Sequence, residues 1–175
     1  MESVAFFRNM NLGHPGSPDR ETLIQAFSDA GALSARSFQT NGTVVFTAEN
    51  PGDTAERARL LLADRYHDAV FVRSAARVAR LVAEFPATGT ESDHYREMVV
   101  LYDASPEAQR EPAAFQHGLV RVLRMDDDAA FGLVWKPKNT VGNMTALIER
   151  LLSTAGTART LGTLQRLSRQ LTPNA

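Results

Sequence analysis

The stretch from residue 4 to residue 46, VAFFRNMNLGHPGSPDRETLIQAFSDAGALSARSFQTNGTVVF, constrains the fold more than any other part of the chain. Residues 4–7 are a short apolar run of β-formers, the pattern of a central strand covered on both faces. Gly13, Pro15, Gly16 and Pro18 then break regular structure as far as residue 17. Ser17 is placed to cap a helix with Pro18 at its first position, and Asp19 and Glu21 fall in the first turn, where the helix dipole favours carboxylates. Leu23, Ile24, Phe27 and Ala30 make a buried stripe, and Gly31 ends it. Residues 35–38 and 43–47 are β-prone and joined through Gln39-Thr40-Asn41-Gly42, with Asn-Gly the strongest short hairpin signal. The result is one β-α-β-β unit with its polar residues in the connections.

The pattern continues in the same style. Asp53 and Glu56 have the spacing of a capping box opening a helix to about Arg65, and residues 69–73 read as another strand. Ser74 can cap a helix that buries Val78, Leu81, Val82 and Phe85 before Pro86 stops it. The order β-α-β-β-α-β is a split β-α-β, or ferredoxin-like, unit. Residues 86–95 have the composition of a linker, and the pattern then repeats more faintly. Residues 98–102 read as a strand, Ser105-Pro106-Glu107 as a helix start, and 119–123 with 131–135 as a strand pair across Asp126-Asp127-Asp128. Met144, Leu147, Ile148, Leu151 and Leu152 share a helix face, with Gly156 as its stop. A short extended piece at 157–159 precedes a final helix carrying Leu161, Leu164, Leu167 and Leu171. The expectation is an α+β protein of two ferredoxin-like subdomains with antiparallel sheets, 1–86 and 96–175, joined by 87–95 and ending in an extra helix.

Composition removes several function classes. At 175 residues and 43% hydrophobic, the chain can bury a proper core. A net charge of −1 gives no global field to attract nucleic acid or an anionic membrane. The absence of cysteine excludes disulfides, thiolate nucleophiles and zinc-thiolate sites. Neither a basic-plus-apolar leader nor a bilayer-length apolar run is present, so a cytoplasmic location is expected.

Three segments carry a family resemblance: FFRNMNLGHPGSPDRETLIQAFSDAGALSARSFQTNGTVVF, VFVRSAARVARLVAEFP and TARTLGTLQRL. Together they resemble the uncharacterised bacterial family DUF1697, which shows L-R-G-I-N-V-G after strand one, S-G-N-V-V-F on strand three and T-x-R-N-W-N-T near the end. Arg8, Asn11 and Gly13 fit the first motif, Gly42, Val44, Val45 and Phe46 the second, and Thr157, Arg159 and Thr163 the third. Asn9 and Met10, Asn41 and Thr43, and Thr160, Leu161 and Gly162 depart from it. The resemblance implies the double ferredoxin-like fold and a divergent member, and it implies no established reaction.

The candidate site residues follow from position. Arg8, Asn9 and Asn11 sit where strand one leaves the sheet, and the Gly13-His14-Pro15-Gly16 loop leads to a helix N-terminus that favours anions. An arginine fork with amide donors could hold a phosphate or carboxylate there. The spacing is neither a P-loop nor a G-x-G-x-x-G, so no nucleotide class is implied. Asn41 and Thr43 at the hairpin, and Arg159 before the last helix, complete a lining expected to meet in a cleft between the subdomains. Lys136 and Lys138 follow a strand and offer a further anion contact, beside a Trp135 read as partly buried core.

His14 is the one candidate acid or base, because it lies in the loop beside these groups. The other histidines, His67, His94 and His117, are too scattered for a local metal motif, and Asp126-Asp127-Asp128 lacks the alternating ligands of an EF-hand. No cofactor or metal is expected, and no G-x-S-x-G elbow supports a serine hydrolase.

The function expected is binding or transformation of a small polar or anionic molecule. The alternative is a non-catalytic interaction or scaffold protein. Nucleic-acid binding ranks below both, because the third strand lacks the basic-Gly-aromatic pattern of RNA-binding sheets. The sequence leaves open whether the chain is an enzyme, what it acts on and its oligomeric state.

Overall fold

The computed structural model describes residues 1–88, 93–103 and 114–171, and the helix start expected at Ser105-Pro106-Glu107 lies outside them. The chain divides into two compact units, Met1–Ala79 with Leu167–Ala175, and Arg80–Arg166. Both are α+β, each with one antiparallel sheet, of four strands in the first and five in the second among the described residues.

The first unit contains β1 (Glu2–Phe7), α1 (Arg20–Asp29), β2 (Ser34–Phe38), β3 (Thr43–Thr47), α2 (Pro51–Leu61) and β4 (Val70–Ser74), and α3 (Ala75–Ala83) begins within it. Its strand order is β2-β3-β1-β4. The apolar run therefore lies in the centre of the sheet, with Val4, Ala5, Phe6 and Phe7 all buried. Alternation sends Ala5, Phe7, Val44 and Phe46 to one face, where they meet Leu23, Ala26 and Phe27 of α1 and Ala55 and Ala58 of α2. Phe7 joins Phe27 edge-on at 6.1 Å and Tyr66 at 5.5 Å, and Phe27 joins Phe46 at 4.9 Å.

Local chemistry moves some boundaries. Asp19, not Ser17, caps α1, its carboxylate accepting from the Thr22 N–H at 2.8 Å. Ser17 is committed elsewhere, because its hydroxyl accepts from the Asn11 N–H at 3.0 Å and closes the loop before the helix. The second helix starts at Pro51 after Asn50 and stops at Leu61, short of Arg65, as the chain tightens through Leu62 N–H to Arg59 O at 3.1 Å. Ser74 does cap α3, accepting from the Arg77 N–H at 3.1 Å.

The second unit holds β5 (Arg96–Tyr102), β6 (Phe115–His117), β7 (Val120–Met125), β8 (Ala129–Val134), α4 (Met144–Leu152), β9 (Gly156–Thr160) and most of α5 (Leu161–Ser168). Its strand order is β6-β7-β8-β5-β9, which without the short β6 edge repeats the order of the first sheet. Met144, Leu147, Ile148 and Leu152 of α4 pack on Val100, Tyr102, Val122 and Ala130. The Asp126-Asp127-Asp128 turn is tied down by the Tyr102 hydroxyl, which lies 2.6 Å from Asp126 O and 2.9 Å from Ala129 O.

Gly156 does not end α4. Ser153 does so by turning left-handed at φ 51°, and Gly156 opens β9, where an added Cβ would press on Val100 Cγ1 at 3.1 Å. At the far end of β9, Thr160 caps α5 through the Thr163 N–H at 3.2 Å, as Ser74 caps α3 after β4.

Candidate functional site

The loops at one end of the first sheet collect Arg8, Asn9, Asn11, Asn41 and Thr43, and each meets a neighbour there. The Arg8 guanidinium donates to Asp68 Oδ2 at 2.7 Å, and Asn9 Nδ2 donates to the same oxygen at 2.9 Å. The other carboxylate oxygen of Asp68 accepts from the Ala69 N–H at 2.8 Å. Behind this pair, the Tyr66 hydroxyl lies 2.6 Å from Arg8 O and 2.9 Å from Ala69 O, so its single proton serves two strand ends. Burial, then the nearby Asp68 carboxylate, push the Tyr66 phenol well above its ordinary pKa.

The polar residues of the first and second motifs thus brace the sheet end. Asn9 holds a left-handed φ of 53° to bring its amide round. Thr43, fully buried, donates to Asn41 Oδ1 at 2.8 Å. Gly42, at φ +65°, comes so close that an added Cβ would lie 2.6 Å from Met10 Cβ. The anion site expected at the start of α1 meets Asp19, whose pKa is lowered by the Thr22 N–H it accepts; a carboxylate already occupies that terminus. His14 is exposed, its backbone holding the turn through Asn11 O at 3.1 Å and the Ser17 N–H at 3.0 Å.

Arg159 and Lys136 belong to the second unit and differ in kind. Arg159 is buried within β9 and donates to Thr157 Oγ1 at 3.1 Å and Ala158 O at 2.8 Å. Lys136 is exposed and lines a cavity of about 550 Å³ with Asp93, His94, Tyr95, Leu119, Trp135 and Pro137.

Strand register builds that cavity. Arg96 pairs with Val134, and Val120 pairs with the same residue. One step past each ladder, Tyr95 and Leu119 therefore flank Trp135, and the Tyr95 N–H reaches Val134 O at 2.8 Å while the Trp135 N–H reaches Leu119 O at 3.0 Å. The Trp135 carbonyl in turn accepts from the Gly142 N–H at 3.0 Å, and an added Cβ on Gly142 would strike Leu119 O at 2.2 Å. The Lys136 ammonium sits 5.1 Å from the centre of the Tyr95 ring, and the Arg96 guanidinium lies over the same ring at 4.6 Å.

Three other concavities of the described residues are smaller, at about 430, 330 and 300 Å³, the second of them beside Arg57. One of about 430 Å³ between α1 and α2 is lined by Glu21, Asp29 and neutral side chains, with no cation. One of about 300 Å³ holds Arg150, which lies 3.2 Å from His117 Nε2. No group of three or more His, Cys, Asp or Glu side chains among the described residues could hold a metal ion, and no helix among them is long and apolar enough to cross a membrane.

Comparison with known proteins gives a family without an activity. The model of the family described as "Protein of unknown function (DUF1697)" matches residues 1–121. The chain belongs to the DUF1697 family. No curated protein matches it. Among solved structures, a conserved bacterial protein, SP0830 from Streptococcus pneumoniae, is similar with a TM-score of 0.62 and 14% identity, over 96% of this chain and 97% of that one. At that identity the likeness speaks for the fold alone. In this DUF1697 chain, the matched region contains the Arg8 brace, the crowded Gly42 and Leu119 of the cavity, but neither Trp135 nor Lys136.

Sequence reasoning missed Tyr66 and Asp68 of the sheet-end brace and Asp93, His94, Tyr95 and Leu119 of the cavity. Asp68 is an ordinary acid in a short connection, and Arg8 reaches it across 60 positions. Asp93 and His94 read as linker; the signal that could have found them is the start of β5 a few residues later, since an antiparallel partner of β8 must begin where Trp135 ends.

Proposed function

We propose that this chain binds a small polar or anionic molecule, and that the Trp135–Lys136 cavity of the second unit receives it. The observation that carries this reading is the convergence of Lys136, Asp93, His94, Tyr95 and Trp135 on one concavity of about 550 Å³. That volume falls in the range of small-molecule sites, and a few polar groups set among apolar walls are what such sites use to fix orientation. Of the cations singled out in the sequence, Lys136 is the one that lines this cavity: Arg8 is engaged by Asp68, Arg159 is buried, and Lys138, also exposed, is not part of the lining. Two ferredoxin-like modules, 1–86 and 96–175 by sequence, account for the repeated strand order and leave the strand ends as the natural place for a ligand.

Calorimetric titration with a panel of small carboxylates, phosphates and polar metabolites tests the proposal. A member of the panel should bind, and Lys136→Ala should weaken it at least tenfold while Arg8→Ala leaves it unchanged. Binding indifferent to Lys136→Ala would remove the cavity from consideration.

A second reading, an interaction or scaffold protein, draws on the Arg8–Asp68–Asn9 cluster, whose polar groups are satisfied by one another. Under that reading Arg8→Ala lowers the melting temperature, and no small molecule restores it.

A further inference from the structure

The cavity carries charges of both signs, held apart. Lys136 and Asp93 both line it, yet among the described residues no ion pair within 4.0 Å joins them. The Lys136 ammonium rests on the Tyr95 ring at 5.1 Å, and Asp93 Oδ1 accepts from the Trp135 indole N–H at 3.4 Å. An ammonium has three protons and a carboxylate about four lone-pair sites, so each group keeps most of its capacity for a ligand. Arg96 holds the Tyr95 ring, with its guanidinium over the ring and a hydrogen bond to the Tyr95 hydroxyl at 2.9 Å. The remaining wall is apolar from Leu119, Pro137 and the Trp135 ring, with His94 as its polar member. Two further charges lie beside the cavity: the Arg96 guanidinium, held on the Tyr95 ring, and Glu97, 3.9 Å from His94 Nε2.

A simple anion would find Asp93 against it, and a simple cation would find Lys136. A molecule with both charges and an apolar group matches all three features of the lining. We infer that the cavity takes a small zwitterion with an apolar side group, the chemistry of an apolar α-amino acid, its carboxylate on Lys136 and its ammonium on Asp93. This rests on the reading of the cavity as the binding site and narrows the class of ligand.

The test compares L-phenylalanine with its two halves. Hydrocinnamate keeps the carboxylate and the ring, and phenethylamine keeps the amine and the ring. Titrated calorimetrically into the full chain, phenylalanine should bind about tenfold more tightly than either, because a lone exposed ion pair contributes little and the two must act together. Lys136→Gln should abolish the advantage of phenylalanine over phenethylamine, and Asp93→Asn its advantage over hydrocinnamate. Both side chains are exposed, so an unchanged melting temperature confirms that the variants are folded.

Hydrocinnamate binding as tightly as phenylalanine would overturn the zwitterion and leave the anion site standing. Silence from all three compounds, when another small anion binds in a Lys136-dependent way, would also overturn the zwitterion alone. Silence from these and from every small carboxylate, phosphate and polar metabolite would overturn the binding proposal itself.

Discussion

Arg8 and Asp68 meet at 2.7 Å with about a quarter of each side chain still exposed, 27% and 28%. The contact joins the end of β1 to the connection before β4, and it is extended by Asn9 and by the Ala69 N–H on the same carboxylate. Arg8, expected from the sequence to face a ligand, here holds the sheet end together through Asp68.

The two partners should not be equal in weight. Asp68→Ala deletes the acceptor of three donors and should cost about 2–3 kcal/mol, whereas Arg8→Ala removes one partly screened pair and should cost about 1 kcal/mol. Urea unfolding of both variants checks the order. Equal losses would mean that the ion pair, not the shared carboxylate, is what matters.

Gly42 and Gly13 separate backbone strain from crowding. Both have positive φ, +65° and +80°, but a Cβ on Gly13 would meet nothing within 4 Å while one on Gly42 would lie 2.6 Å from Met10 Cβ and 3.0 Å from Phe7 Cβ. Gly13→Ala should cost roughly 1–2 kcal/mol for the left-handed conformation alone. Gly42→Ala should exceed it by about 1–3 kcal/mol of overpacking, read as the difference in unfolding free energy. Indistinguishable variants would show that the Met10 contact gives way freely.

Alkaline pH should find Tyr66. Its phenol is only 3% exposed, and its pKa is raised by burial and by Asp68. The unfolded chain releases that proton near pH 10 while the folded chain holds it, so the contribution is complete below about pH 10 and falls as pH rises toward the folded value. The slope should approach about 1.4 kcal/mol per pH unit, and Tyr66→Phe should flatten it at the expense of the hydroxyl's hydrogen bond. Stability of the two proteins falling in parallel above pH 10 would contradict the assignment.

How legible these features were in the sequence depends on the distance over which they act. The central strand, the Asn-Gly hairpin and the Ser74 cap are local, and their residues announce them. The sequence points to Ser17 as the cap of α1 although Asp19 is an equally good one, and only the fold shows the Ser17 hydroxyl taken by the Asn11 N–H. The β6 strand is three residues at a sheet edge, too short for alternation to show. Gly156 has the signature of a helix stop, but serves the close approach of β9 to β5. Lys136 was readable as an exposed cation after a strand. Its setting was not, since Asp93, Leu119 and Trp135 are brought together by two strand registers that no local pattern encodes.

Trp135 is the single tryptophan of the chain and forms a wall of the cavity, so its emission reports on occupancy directly. Titration of a small polar or anionic ligand identified by calorimetry should change that emission saturably, with the same midpoint as the heat, and Lys136→Ala should weaken both at least tenfold. Saturable heat with Trp135 emission unmoved would place the ligand elsewhere and contradict the account.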